Sequence, residues 1–160
     1  MFTKDQLRHA LIQLRADLRK KLDDGAKCPL CDQHAQIYRR KINSGMAKSL
    51  IAMYRQGIVP GGGTDYMHIP TVIGSRSREE GKLAYWQLIE EEAVHRPDGG
   101  RAGYWRLTWR GQCFVEGRIR LPKYAEIYAG KVVGMDSTEM ISIHEALTEK
   151  FNYADLMAGV

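Results

Sequence analysis

Leucines 7, 11, 14, 18 and 22 recur at steps of four and three, drawing one narrow apolar stripe through an otherwise polar segment. That period predicts an amphipathic helix. Thr3 with Gln6 has the form of a capping box, and Phe2 and Leu7 have the spacing of a hydrophobic staple. Arg19, Lys20 and Lys21 gather at the end where the helix dipole favours cations, and Gly25 is the expected stop. So narrow a stripe can pack on the rest of the chain or pair with its copy, and a homodimer is the expectation.

Further on, the pattern predicts a second helix from about Gln33, carrying Ile37, Tyr38 and Ile42 inward and Arg39, Arg40 and Lys41 outward. Asn43-Ser44-Gly45 reads as a break or a new cap. A third helix follows with Met46, Leu50, Ile51, Met53 and Tyr54 as core, ending at Gly57. Residues 59–65, VPGGGTD, read as a flexible loop; they lack the lysine and hydroxyl residue of a phosphate-binding P-loop. After a short apolar stretch, YMHIPTVIG, a second capping box at Ser77-Arg78-Glu79-Glu80 predicts a helix over 77–90. Pro97-Asp98-Gly99-Gly100 then supplies the turn of a hairpin between AVHR and RAGYWRLTW. In its second arm Trp105, Leu107 and Trp109 alternate with Tyr104, Arg106 and Thr108, which predicts one buried face. RGQCFVEGRI predicts a short helix with Cys113 and Phe114 inward, and the tail a small hairpin and a helix capped by Ser142 with Glu145.

These elements predict an α+β fold, mainly α, in three stretches: 1–42, 43–122 and 123–160. KLAYWQLIEEE followed by DGGRAGYWRLTWRGQCFV resembles the recognition helix, wing and following helix of winged helix-turn-helix regulators, with Leu107, Thr108 and Gly111 where those carry a leucine-threonine pair and a turn glycine. More widely, the chain resembles small phage and prophage proteins that join a CxxC, a YRRKINSGMA-like segment, a winged helix and a tail like FNYADLM. The resemblance implies a fold and does not by itself license a function. It implies that helix 77–90 enters a major groove of double-stranded DNA, with Arg78, Lys82 and Tyr85 on one face at i, i+4 and i+7. Arg76 would hold a phosphate, Arg96 and Arg101 would flank the wing tip, and Arg39, Arg40 and Lys41 would add phosphate contacts.

Charge sharpens this reading. The net charge is +5, but residues 1–60 hold 12 Lys/Arg against 5 Asp/Glu, residues 61–122 hold 9 against 8, and residues 123–160 hold 3 against 6. A basic first part suits contact with a polyanion. Against it, Glu79, Glu80 and Glu90 to Glu92 surround the expected recognition helix. Those near the N-terminus suit the helix dipole, yet they also repel phosphate. An adaptor or inhibitor that grips a host protein through the same scaffold is the alternative, and stacking of single strands on Tyr85, Tyr104 or Trp105 is a third. The polar N-terminus has no apolar signal core and no run is long enough to span a bilayer, so a bacterial cytoplasm is expected.

Cys28-Pro29-Leu30-Cys31 has the spacing of a zinc knuckle, with His34 as third ligand and His68, His95, Cys113 or a second chain as source of the fourth. A structural zinc there would brace the first helix against the basic one. The plainer alternative is a tight turn with free thiols. A thioredoxin-like redox role would need a strand before the motif, which the pattern does not suggest. With no nucleophile, base and acid in a recognisable order, no enzyme is expected.

Overall fold

The structure is a computed structural model and describes residues 1–60, 62–74, 79–93 and 103–160. It is a mixed α+β fold with several helices and small sheets. The chain divides into two compact units: Met1–Arg40 with Glu126–Gly134, and Lys41–Ala125 with Met135–Val160.

The first unit opens with α1, Lys4–Arg19. Its capping box forms as expected: Thr3 Oγ1 accepts from Gln6 N at 3.2 Å and Gln6 Oε1 from Thr3 N at 2.9 Å. None of its residues is buried; Leu7 is 52% and Leu11 50% exposed. Phe2, 75% exposed, is not held under a staple. Leu22, in the turn after α1, is the buried member of the stripe.

The chain then forms a short antiparallel ribbon from β1, Ala26–Lys27, and β2, His34–Ala35, with Ala26 opposite Ala35 and Lys27 opposite His34. β3, Tyr38–Lys41, follows with all four residues exposed. The second helix expected from Gln33 is therefore absent, and two strands take its place. The physical reason is partnership: Ile37 N donates to Leu22 O at 2.8 Å, and β3 joins a sheet. Ile37 and Ile42 fit either period, and distant backbone partners decide between them.

The second unit is organised on α2, Ser44–Gly57, the third helix expected. Asn43 Oδ1 accepts from Met46 N at 2.9 Å, so the expected recap is an N-cap. Met46, Leu50, Ile51 and Met53 are buried. The glycine-rich stretch is a ribbon rather than a loose loop: β4, Ile58–Val59, pairs with β5, Gly63–Thr64, and the Thr64 hydroxyl donates to Leu107 O at 2.6 Å. Then come β6, Met67–His68, and α3, Ile69–Ile73, whose C-cap Gly74 is left-handed at φ +63°.

Residues expected as one long helix, 77–90, divide differently. A 3-10 helix spans Glu80–Trp86, Gln87 stops it at φ +59°, and β7 takes Ile89–Glu91. Leu83, Trp86, Leu88 and Ile89 are all buried. Four apolar residues in seven need cover on more than one side, which a one-faced helix lacks and a strand supplies. β7 pairs with β8, Tyr104–Leu107, through Ile89–Leu107, Glu90–Arg106 and Glu91–Trp105, and β6 flanks the other edge of β8. Of the expected hairpin, β7, Ile89–Glu91, pairs with β8; all of AVHR but Ala93, the Pro97-to-Gly100 turn and the Ser77 cap lie outside the described residues.

Thr108 caps α4, Trp109–Val115, with Cys113 and Phe114 buried as expected. Trp109, expected on the strand's inner face, is instead the first helical residue and 64% exposed, with the Arg118 guanidinium 4.9 Å above its ring. The tail hairpin is β9, Leu121–Tyr128, and β10, Lys131–Ile141, joined through Ala129 and Gly130 at positive φ; the sheet order is β10-β9-β3. Ser142 and Glu145 form their capping box on α5, Ile143–Leu147. A 3-10 turn, Thr148–Lys150, leads to α6, Tyr153–Ala158. No helix among the described residues is long and apolar enough to cross a membrane.

Candidate nucleic-acid interface

Of the residues expected to touch DNA, Arg39, Arg40 and Lys41 lie on β3 and are exposed. Their strand stands at the edge of its sheet. An alternating backbone throws neighbours to opposite faces, so the basic run cannot act as one helical patch. Arg76, Arg78, Arg96 and Arg101 lie outside the described residues.

Lys82 and Tyr85 belong to the 3-10 helix and are part-exposed. On such a helix residues three apart superpose, so the two still share a side. Lys82 is ion-paired with Glu79. The glutamates that would repel phosphate are partly dealt with by the same geometry. Glu80 is buried beside Ser49, whose hydroxyl lies 3.5 Å from Oε1, and its Oε2 has no hydrogen-bond partner. Glu90 takes the Arg106 guanidinium across the β7–β8 pair, and that carboxylate raises the Arg106 pKa. Arg106 also stands 4.7 Å over the Tyr66 ring, and His68 and Tyr104 rings meet at 5.3 Å. Within the same unit, Arg118–Glu116, Arg120–Glu145 and Lys123–Glu139 are paired likewise.

An open cavity of about 460 Å³ lies at the N-terminus of α2. Lys41, Asn43, Ser44, Lys123, Glu139 and Glu145 are among the residues around it. Sequence reasoning missed it, because its walls come from β3, α2, β9, β10 and α5 and no spacing unites them; the local signals were the Asn43-Ser44 cap and Glu145 of the Ser142 box.

The zinc expected at Cys28, Cys31 and His34 is contradicted. Among the described residues no group of three or more His, Cys, Asp or Glu side chains stands together to hold a metal. His34 Nε2 lies 3.1 Å from Gln36 Oε1, and its ring rests against Gly25, where an added Cβ would meet it at 2.9 Å. Gly25 is also left-handed, at φ +81°, so two constraints fix the glycine there. The cysteines instead sit in a tight turn. Cys28 N donates to Gln33 O at 2.8 Å and Asp32 N to Cys28 O at 2.9 Å, with Asp32 at φ +57°. The Leu30 N–H, then the Cys31 N–H and thiol, hydrogen-bond to the Cys28 sulfur and hold its pKa below the usual thiol range. All three cysteines are free thiols.

No family model, curated protein or solved structure matches the chain.

Proposed function

We propose that the chain is a winged helix-turn-helix protein of phage type that binds double-stranded DNA in a regulatory role. The observation that carries this reading is the topology of the second unit. α2 is followed, after the β4–β5 ribbon, by β6, α3, the 3-10 helix, β7 and β8, and the sheet runs β6-β8-β7, an order compatible with a winged helix that carries an inserted ribbon. On that reading the wing would be the segment between β7 and β8, in whose sequence Arg96 and Arg101 fall. The short helix before β7, entered through Arg76 and Arg78 and carrying Lys82 and Tyr85, then occupies the recognition position. Exposed Arg39, Arg40 and Lys41 supply sequence-independent phosphate contact. The exposed leucines of α1 favour a dimer.

The test is charge reversal. Arg78→Glu with Lys82→Glu is expected to abolish duplex binding with folding intact, while Arg39→Ala, Arg40→Ala and Lys41→Ala together lower the slope of log affinity against log salt by about 2–3. Unchanged affinity in the first variant would remove the groove assignment.

One set of contacts favours the second reading, a protein-binding adaptor. Lys82 and Arg106 are already engaged by Glu79 and Glu90, and Glu91 and Trp109 are exposed. A host-lysate pull-down that returns one stoichiometric partner and no DNA would support it.

A further inference from the structure

The Cys28–Cys31 turn goes beyond the DNA reading, because nothing in phosphate contact uses it. The turn joins β1 to β2 and is closed by the Asp32 N–H on the Cys28 carbonyl. Pro29 presets the backbone angle of the residue after Cys28. An i→i+4 closure is one helical turn that is not continued, and it leaves residues three apart as neighbours, with Cβ atoms about 5–6 Å apart. A small closing movement brings such a pair to the roughly 3.5–4.5 Å that a disulfide requires. Leu30, between them, turns away and is 65% exposed. Cys31 is exposed and Cys28 part-exposed, so both sulfurs are within reach of a small molecule. Cys113 gives the contrast: buried in α4, it is packed as a small apolar residue.

We propose that Cys28 and Cys31 form a thiol–disulfide exchange site whose substrate is a small-molecule disulfide of the glutathione type. The Cys28 thiolate attacks one sulfur of that disulfide and expels the other as a thiolate. A mixed disulfide at Cys28 results. The Cys31 thiol then loses its proton and attacks the Cys28 sulfur, expelling the second thiolate. The protein dithiol is oxidised by two electrons to a Cys28–Cys31 disulfide, and one small disulfide becomes two thiols.

The experiment uses the reduced full chain, oxidised glutathione as probe, acid quenching, alkylation and mass spectrometry. The wild type is expected to lose two hydrogens, with the link mapped to Cys28 and Cys31 and with Cys113 alkylated only after unfolding. Cys31→Ser is expected to stop at a glutathione adduct on Cys28. Cys28→Ser should react at Cys31 about tenfold more slowly. Urea-unfolded wild type controls for folding: the native turn should form the disulfide about tenfold faster than the unfolded chain. Equal rates in the folded and unfolded chain, or no internal disulfide in the folded one, would overturn the proposal.

Discussion

At Gly111, inside α4, a methyl group would stand 2.1 Å from Leu88 O and 2.8 Å from Leu107 Cδ2. Neither neighbour is a free side-chain end, since one is backbone and the other is packed in the core. Gly111→Ala is therefore expected to cost about 1–3 kcal/mol or more, read as a lower urea midpoint with an unchanged slope. The Trp86 indole is fully buried and its N–H donates to Pro122 O at 2.7 Å. Trp86→Phe would keep most of the packing and orphan that carbonyl, a loss of about 1–3 kcal/mol by the same measurement. Glu116 makes a pH-dependent contribution. The Tyr54 hydroxyl, donating at 2.8 Å, and then Arg118 hold its carboxyl below the ordinary value near 4.5, against the opposing effect of burial. A depressed folded pKa stabilises fully above the unfolded value, and the contribution fades as pH falls below about 4.5 and through the folded value. Tyr54→Phe should accordingly destabilise more at pH 7 than at pH 3 in denaturant titrations; equal losses at both would show that the carboxylate is not the group involved. Little of this was legible in the sequence. Gly111 was visible as a glycine, but the carbonyl it meets belongs to a residue 23 positions away.

At the scale of elements, what was legible was local. Thr3 with Gln6 and Ser142 with Glu145 form the boxes their spacing implied, and Asn43 caps α2. Asn43→Ala should cost about 1 kcal/mol, measurable by thermal unfolding. What was not legible depended on partners far along the chain. Residues 33–42 carry a helical pattern and become strands because Leu22 and β9 supply hydrogen bonds. Of the helix expected over 77–90, the described residues 79–90 divide because β8 claims Ile89–Glu91. The β9–β10 turn offers a gain in place of a loss. Ala129 sits at φ +50° and Gly130 at φ +74°, the pair of positive angles a tight two-residue hairpin turn needs. Alanine is strained there, so Ala129→Gly should stabilise by up to about 1 kcal/mol and raise Tm; an unchanged or lower Tm would mean that unfolded-state entropy outweighs the strain.

Across the whole molecule, charge separates less sharply between the two compact units than between the sequence stretches 1–60, 61–122 and 123–160. The first unit holds 10 Lys/Arg against 6 Asp/Glu, and the second 14 against 13. Most of the excess positive charge therefore lies with α1, the cysteine ribbon and β3, outside the unit whose topology supports the winged-helix reading. Arg39, Arg40 and Lys41 were legible as basic residues, but not as strand residues at a sheet edge. The neutralised pairs Lys82–Glu79 and Arg106–Glu90 were not legible, because the second needs the β7–β8 register to bring it together. The central claim is that this charge meets the backbone of a duplex. The most direct test is binding of the purified chain to a random-sequence duplex across a salt series. The account predicts affinity at low salt that falls steeply and linearly on a log–log plot, with a slope set by several phosphate contacts. No detectable binding at low salt would contradict it and leave the protein-binding reading in its place.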